Sequence, residues 1–168
     1  MREIPAIVLG EGITLLGTIR CLGRVGITSF CFGRSSVDEA HSRYYKKLVE
    51  KNDSELKEGE LEKILEQTAF AKAVLIPCSD HWLHQVANLP AHIKTRFPGC
   101  ENNAETLSLF TDKARFRDLL QKHNIPSPKT FDEASAITTD ADFFLKPRDS
   151  QRFSFVFKKK GIGVKTAE

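Results

Sequence analysis

Ala6-Ile7-Val8-Leu9-Gly10-Glu11-Gly12 is the stretch that decides the fold. Four consecutive apolar residues read as a strand buried on both faces. Two glycines then let the backbone turn sharply. From Ile13 to Arg24 the residues Leu15, Leu16, Ile19 and Leu22 recur near helical spacing, and Gly26 stands where a helix stop is expected. Thr28 to Phe32 follows as a second strand, rich in β-branched and aromatic residues. Strand, helix, strand within about 30 residues is a βαβ unit with a right-handed crossover.

The same texture continues outward. Lys47-Leu48-Val49 reads as a short strand. Ser54 to Phe70 reads as a helix with Leu56, Leu61, Ile64 and Leu65 on one face. Ala73-Val74-Leu75-Ile76 is a further buried strand closed by Pro77. Asp80 to Leu89 reads as a helix that Ser79 or Asp80 caps. Short apolar strands alternating with amphipathic helices predict an α/β fold, a Rossmann-like parallel sheet with helices on both sides.

Pro98-Gly99 breaks this alternation, and the sequence divides into 1–110 and 111–168. In the second part Thr111-Asp112-Lys113 opens an amphipathic helix that Asn124-Ile125-Pro126-Ser127-Pro128 stops. Phe143 to Leu145 and Phe153 to Phe157 read as paired antiparallel strands joined through Asp149-Ser150-Gln151. No internal repeat or low-complexity segment is visible.

Composition excludes several classes. The net charge is only +3 and the lysines are dispersed apart from Lys46-Lys47 and Lys158-Lys159-Lys160, so no nucleic-acid partner is expected. Cys21, Cys31, Cys78 and Cys100 form no C-x-x-C pair, which argues against zinc. No run reaches the length of a membrane span, and Met1-Arg2-Glu3-Ile4-Pro5 lacks a signal peptide's apolar core. The cytoplasm is the expected location.

Several side chains are candidates for chemistry. Gly10-x-Gly12 approaches a dinucleotide fingerprint, but Leu15 stands where the third glycine belongs. Phe32-Gly33-Arg34 replaces the acid that binds a ribose, although an arginine there suits a 2′-phosphate, which keeps an NADP reading open. Tight turning and close helix packing explain the glycines better. Glu11 and Asp80 sit at the mouths of neighbouring strands, where open α/β sheets bind ligands; solvent exposure for Glu11 and helix capping for Asp80 are the plainer explanations.

His81 and His84 lie one helical turn apart without a third metal ligand, and His41, His92 and His123 have no identifiable partner. Trp82 reads as core or an edge contact. Lys146 follows three apolar residues, so its charge favours an anionic partner. Lys113 lies in a first helical turn, where the helix dipole disfavours a cation and a bound anion would offset it. Each of the two alone reads as a surface lysine.

Taken together, Ala6 to Gly12, Leu75-Ile76-Pro77-Cys78-Ser79-Asp80, Asp112-Lys113-Ala114-Arg115-Phe116 through Ile125-Pro126-Ser127-Pro128, and Leu145-Lys146-Pro147 resemble the ATP-grasp ligases. Carbamoyl phosphate synthetase large subunit, biotin carboxylase and D-aspartate ligase represent that superfamily, and the similarity is greatest to carboxylate–amine ligases of the D-aspartate ligase kind. The resemblance implies a pre-ATP-grasp domain over 1–110 and the start of an α+β ATP-grasp domain over 111–168. It implies ATP and Mg2+ as cofactors, with Lys113, Lys146 and Arg152 at the nucleotide. Gly10, Glu11, Gly12 and Asp80 would line the side that takes the acceptor substrate. Small carboxylates and amines are the implied substrates, and a homodimer is compatible with the family.

The chain departs from the family in two places. Ser150 to Phe153 takes the position of the phosphate-covering loop but has no glycine, with Gln151-Arg152 at its tip. The acidic residues that hold magnesium in the family come later than Lys160. The expectation is therefore an N-terminal fragment, inactive alone. A non-catalytic α/β module for a small ligand or partner, and an NADP-binding Rossmann protein, are the alternatives.

Overall fold

A computed structural model describes residues 4–33, 37–49, 60–99, 103–131, 133, 142–145, 153, 156–159 and 161–165. The chain divides into two compact units, Met1–Leu107 and Ser108–Glu168.

The first unit is built on three parallel strands, β1 (Ala6–Leu9), β2 (Ser29–Phe32) and β3 (Val74–Pro77), in the order β2-β1-β3. Ala6 lies opposite Ser29 on one side and Val74 on the other. The central position of β1 explains its uninterrupted apolar run, because every one of its residues is buried. Alternation along β1 then separates two cores. Ile7 and Leu9 pack with Phe32, Leu75 and the apolar faces of α3 (Glu60–Gln67), α4 (Asp80–Ala87) and α5 (Ala91–Arg96). Val8 points the other way, into a cluster with Leu15 and Ile19 of α1 (Gly12–Arg24) and with Cys31. The expected helix–sheet–helix layering is present.

The helix ends follow local rules. Gly26 adopts φ +81°, and the N–H groups of Gly26 and Ile27 return to the carbonyls of Gly23 and Leu22, which closes α1 with a Schellman turn. Leu61, Ile64 and Leu65 form the buried face of α3; Leu56, expected on that face, lies outside the described residues. Trp82 is in the core, with its ring edge-on to Phe32 at 5.6 Å.

Both outer edges of the sheet are covered. Cys31 N–H donates to the Lys46 carbonyl at 2.7 Å and Cys31 O accepts from Leu48 N–H at 2.9 Å, so the strand expected at Lys47 to Val49 reduces to one bridge. Along β3, Ala73 N–H reaches Arg96 O at 3.4 Å and Leu75 N–H reaches Pro98 O at 2.8 Å. These segments satisfy edge groups that would otherwise invite strand addition.

After α6 (Ala104–Thr111), α7 (Lys113–Lys122) of the second unit starts at Asp112, whose carboxylate accepts from the N–H of Ala114 at 2.8 Å and of Arg115 at 3.1 Å. Asp112→Ala is expected to destabilise the start of α7 by about 1 kcal/mol, seen as faster amide exchange at Ala114 and Arg115. Unchanged exchange there would contradict the cap. Asn124 takes φ +53°, and Asn124 and Ile125 donate back to Gln121 and Leu120, so the helix ends before Pro126.

β4 (Asp142–Leu145) pairs antiparallel with β5 (Ile162–Lys165). This corrects the strand expected at Phe153 to Phe157, where Phe153, Val156 and Phe157 are helical. Phe-x-Phe-x-Phe matches strand alternation, but Phe153 and Phe157 are also one helical turn apart. Their rings meet at 4.6 Å in that arrangement. The connection expected at Asp149-Ser150-Gln151 lies outside the described residues. Much apolar surface in this unit faces solvent: Phe110, Phe144, Leu145, Val156 and Phe157 are each more than half exposed, and α7 buries no residue.

Candidate functional site

The carboxyl edge of the parallel sheet is where β1 and β3 deliver their turns side by side. Gly10 N–H donates to Phe32 O at 2.9 Å, and Cys78 N–H donates to Leu9 O at 2.8 Å. Gly10, Glu11 and Gly12 therefore share an edge with Cys78, Ser79 and Asp80. The space at Gly10 is already filled, since a Cβ there would stand 2.8 Å from Cys78 Cβ. Gly12 has open space but adopts φ +69°, the left-handed region that favours glycine.

Glu11 is exposed and extended, and its side chain does not cap α1. Asp80 is exposed and is the first residue of α4. Capping falls to Ser79, whose hydroxyl accepts from Trp82 N–H at 3.5 Å, so the capping role considered for Asp80 belongs to its neighbour. Asp80 still complements the positive end of the helix.

A residue that the sequence did not single out completes this edge. Glu39, on the four-residue α2 (Val37–Ala40), is only 1 % exposed and accepts a hydrogen bond from Gly12 N–H across 27 residues. The available signal was indirect: no Ser, Thr, Asp or Asn precedes α1, so its first amides needed a partner from elsewhere.

Two thiols border the turn. Burial pushes the Cys31 thiol up to about 11, with Cys78 and Glu39 nearby adding to the rise and the Lys46 backbone hydrogen bond opposing it. Burial also raises Cys78, against a contact with Thr18 Oγ1 at 3.6 Å. Both are protonated at neutral pH and poorly suited as nucleophiles.

The raised Cys31 value links stability to pH. The folded state keeps a proton that the unfolded chain releases near 9, so this contribution is complete below pH 9 and is lost as pH rises to about 11. Denaturation of the wild type across that interval is expected to show a fall of about 2–3 kcal/mol that Cys31→Ala lacks. Parallel pH profiles for the two proteins would refute it.

The histidines separate. His81 lies edge-on to Trp82 at 5.4 Å. Among the described residues neither His81 nor His84 joins a group of three metal-ligating side chains. His92, for which the sequence suggests no partner, meets Glu66 at 3.6 Å and Glu62 at 3.9 Å, and the three ligand atoms lie within 4.8 Å of one another. Glu62 and Glu66 share a helix face by spacing alone; His92 reaches them only because α5 packs beside α3.

Of the residues assigned to a nucleotide, Lys113 is the first residue of α7 in the second unit, while Lys146 and Arg152 lie outside the described residues. The helix end at Lys113 has an anion of its own. The carboxylate of Asp112 already stands at that helix end and occupies two of its amides.

No known protein-family profile matches the chain, and no curated protein matches it at a significant level. No helix among the described residues is long and apolar enough to cross a membrane.

Proposed function

We propose that the chain is the N-terminal region of an ATP-dependent carboxylate–amine ligase of the ATP-grasp kind. The observation that carries this reading is the order of its parts. A parallel β2-β1-β3 sheet comes first. A helix opened by Asp112-Lys113 follows, then the Ile125-Pro126-Ser127-Pro128 turn, then a strand whose last residue precedes Lys146-Pro147. The exposed Phe144, Leu145 and Val164 also favour it, because further polypeptide of an ATP-grasp domain would cover them.

ATP, with Mg2+, would supply the phosphoryl group that turns a carboxylate into an acyl phosphate, from which an amine displaces phosphate. In this reading Lys113 and Lys146 offset phosphate charge, aided by Arg152. Because Asp112 holds the first amides of α7, the Lys113 ammonium and not the helix backbone meets the phosphates. Gly10, Glu11, Gly12 and Asp80 face the acceptor substrate at the sheet edge.

The test is ADP release by the reading frame that contains this chain, assayed with panels of carboxylates and amines. Carboxylate-dependent ADP release is expected. Lys113→Met and Lys146→Met are each expected to lower kcat/KM for ATP by roughly 100-fold or more with the fold intact. No ADP release with any pair, and no rise in melting temperature with ATP and Mg2+, would overturn the proposal.

A further inference from the structure

We infer that Glu39 is a built-in anion, holding the position that a phosphate or carboxylate from solution would take at the start of α1 and so deciding what the β1–α1 turn excludes. A glycine turn leading from a parallel strand into a helix ordinarily presents free amides and a positive dipole end to a bound phosphate. Here the N–H of Gly12, the first residue of α1, is given to Glu39 Oε1. The helix has no local alternative, because Glu11 does not cap it and no acidic residue lies in its first turn. The helices α4 and α7 differ, with Ser79 and Asp112 capping each from within its own chain segment.

Burial gives the contact its force. A carboxylate that is 1 % exposed has lost its water, so protein groups, the Gly12 amide among them, replace that hydration. The turn is closely packed at Gly10 while Gly12 has open space beside it, so the charge of Glu39 and not bulk opposes a second anion. Cys78 packs against Gly10, and Gly33 packs against the Gly10 carbonyl. The arrangement explains why Gly10-x-Gly12 imitates a dinucleotide fingerprint while serving a different end. It disfavours the NADP alternative on physical grounds. Only the first unit is involved, and this role of Glu39 stands whether or not the ligase reading holds.

Melting temperatures of wild type, Glu39→Ala and Glu39→Gln test it, measured in formate, inorganic pyrophosphate or NADPH against chloride of equal ionic strength. Wild type is expected to gain nothing from any of the three anions beyond chloride. Glu39→Ala is expected to melt roughly 10 °C lower, and formate, which fits the vacated carboxylate position, is expected to recover part of that loss saturably. Glu39→Gln fills the same space without charge and is expected to show no formate recovery. A saturable rise of wild type with pyrophosphate or NADPH would overturn the inference. So would a Glu39→Ala protein that loses no stability, or one that formate restores no better than chloride. The wild-type measurement remains decisive even if Glu39→Ala does not fold. ADP release plays no part in any arm, so failure here is distinct from failure of the ligase proposal.

Discussion

Gly33→Ala is expected to cost about 4 kcal/mol or more, lowering the melting temperature by roughly 15 °C or preventing folding of the first unit. Gly33 leaves β2 with φ +139°, which L residues rarely adopt. A Cβ there would sit well inside van der Waals contact distance of the Gly10 carbonyl oxygen and 3.0 Å from its carbonyl carbon. Both atoms belong to the backbone at the exit of the central strand, so no rotamer change relieves the clash. Gly12→Ala is the control. It has a left-handed φ of +69° but no atom within 4 Å of an added Cβ, and it is expected to cost only about 1 kcal/mol. Equal losses in the two variants would show that the strand exits are not packed as described.

Phe97→Ala is expected to cost about 3–5 kcal/mol, read as a lower denaturant midpoint at unchanged slope. Phe97 is 0 % exposed and belongs to the core formed by Leu75, Leu89 and Ile93. It also carries the segment that covers β3. Arg96 stacks its guanidinium 4.7 Å from the Phe97 ring centroid, and donates to Phe70 O at 2.8 Å and Thr68 O at 2.7 Å. Losing the ring removes buried area and unseats a side chain that ties the end of α3 to the sheet edge. Phe110, 57 % exposed, offers the contrast: its replacement by alanine is expected to change stability by less than about 1 kcal/mol. A Phe97→Ala loss below that level would mean that the edge segment does not close the core.

Elements whose signals are local were legible in the sequence. β1 could be read because burial on both faces demands an unbroken apolar run. Leu15 and Ile19 of α1 and Leu61, Ile64 and Leu65 of α3 are buried as helical spacing predicts, and Trp82 takes the core position, one of the two expected for it. The stops at Gly26 and Asn124 followed from residues that tolerate positive φ. Phe153 to Phe157 misled because its spacing satisfies both strand alternation and a helical i, i+4 pair. Only the pairing of β4 with Ile162–Lys165 chose between them.

The candidate site was legible only in part. The glycine turn and the mouth at Asp80 were visible because glycine and strand ends mark themselves. Glu39 was not, since nothing in Val37-Asp38-Glu39-Ala40 indicates a partner at Gly12. The meeting of His92 with Glu62 and Glu66 was equally hidden, as was the cover along β3 from residues 96 to 98.

Local order along the chain was enough to set the α/β class, the course of the first βαβ unit, the helix ends and the polarity of each face. These depend on interactions between residues a few positions apart, whose free energies are set before the chain collapses. Long-range packing was needed to place the protein's own carboxylate at the start of α1, to deny Gly33 and Gly10 a side chain, and to pair β4 with β5. Those outcomes turn on which of several compatible distant groups desolvates against which, and a buried charge or a backbone clash is resolved only once the packed neighbours are in place.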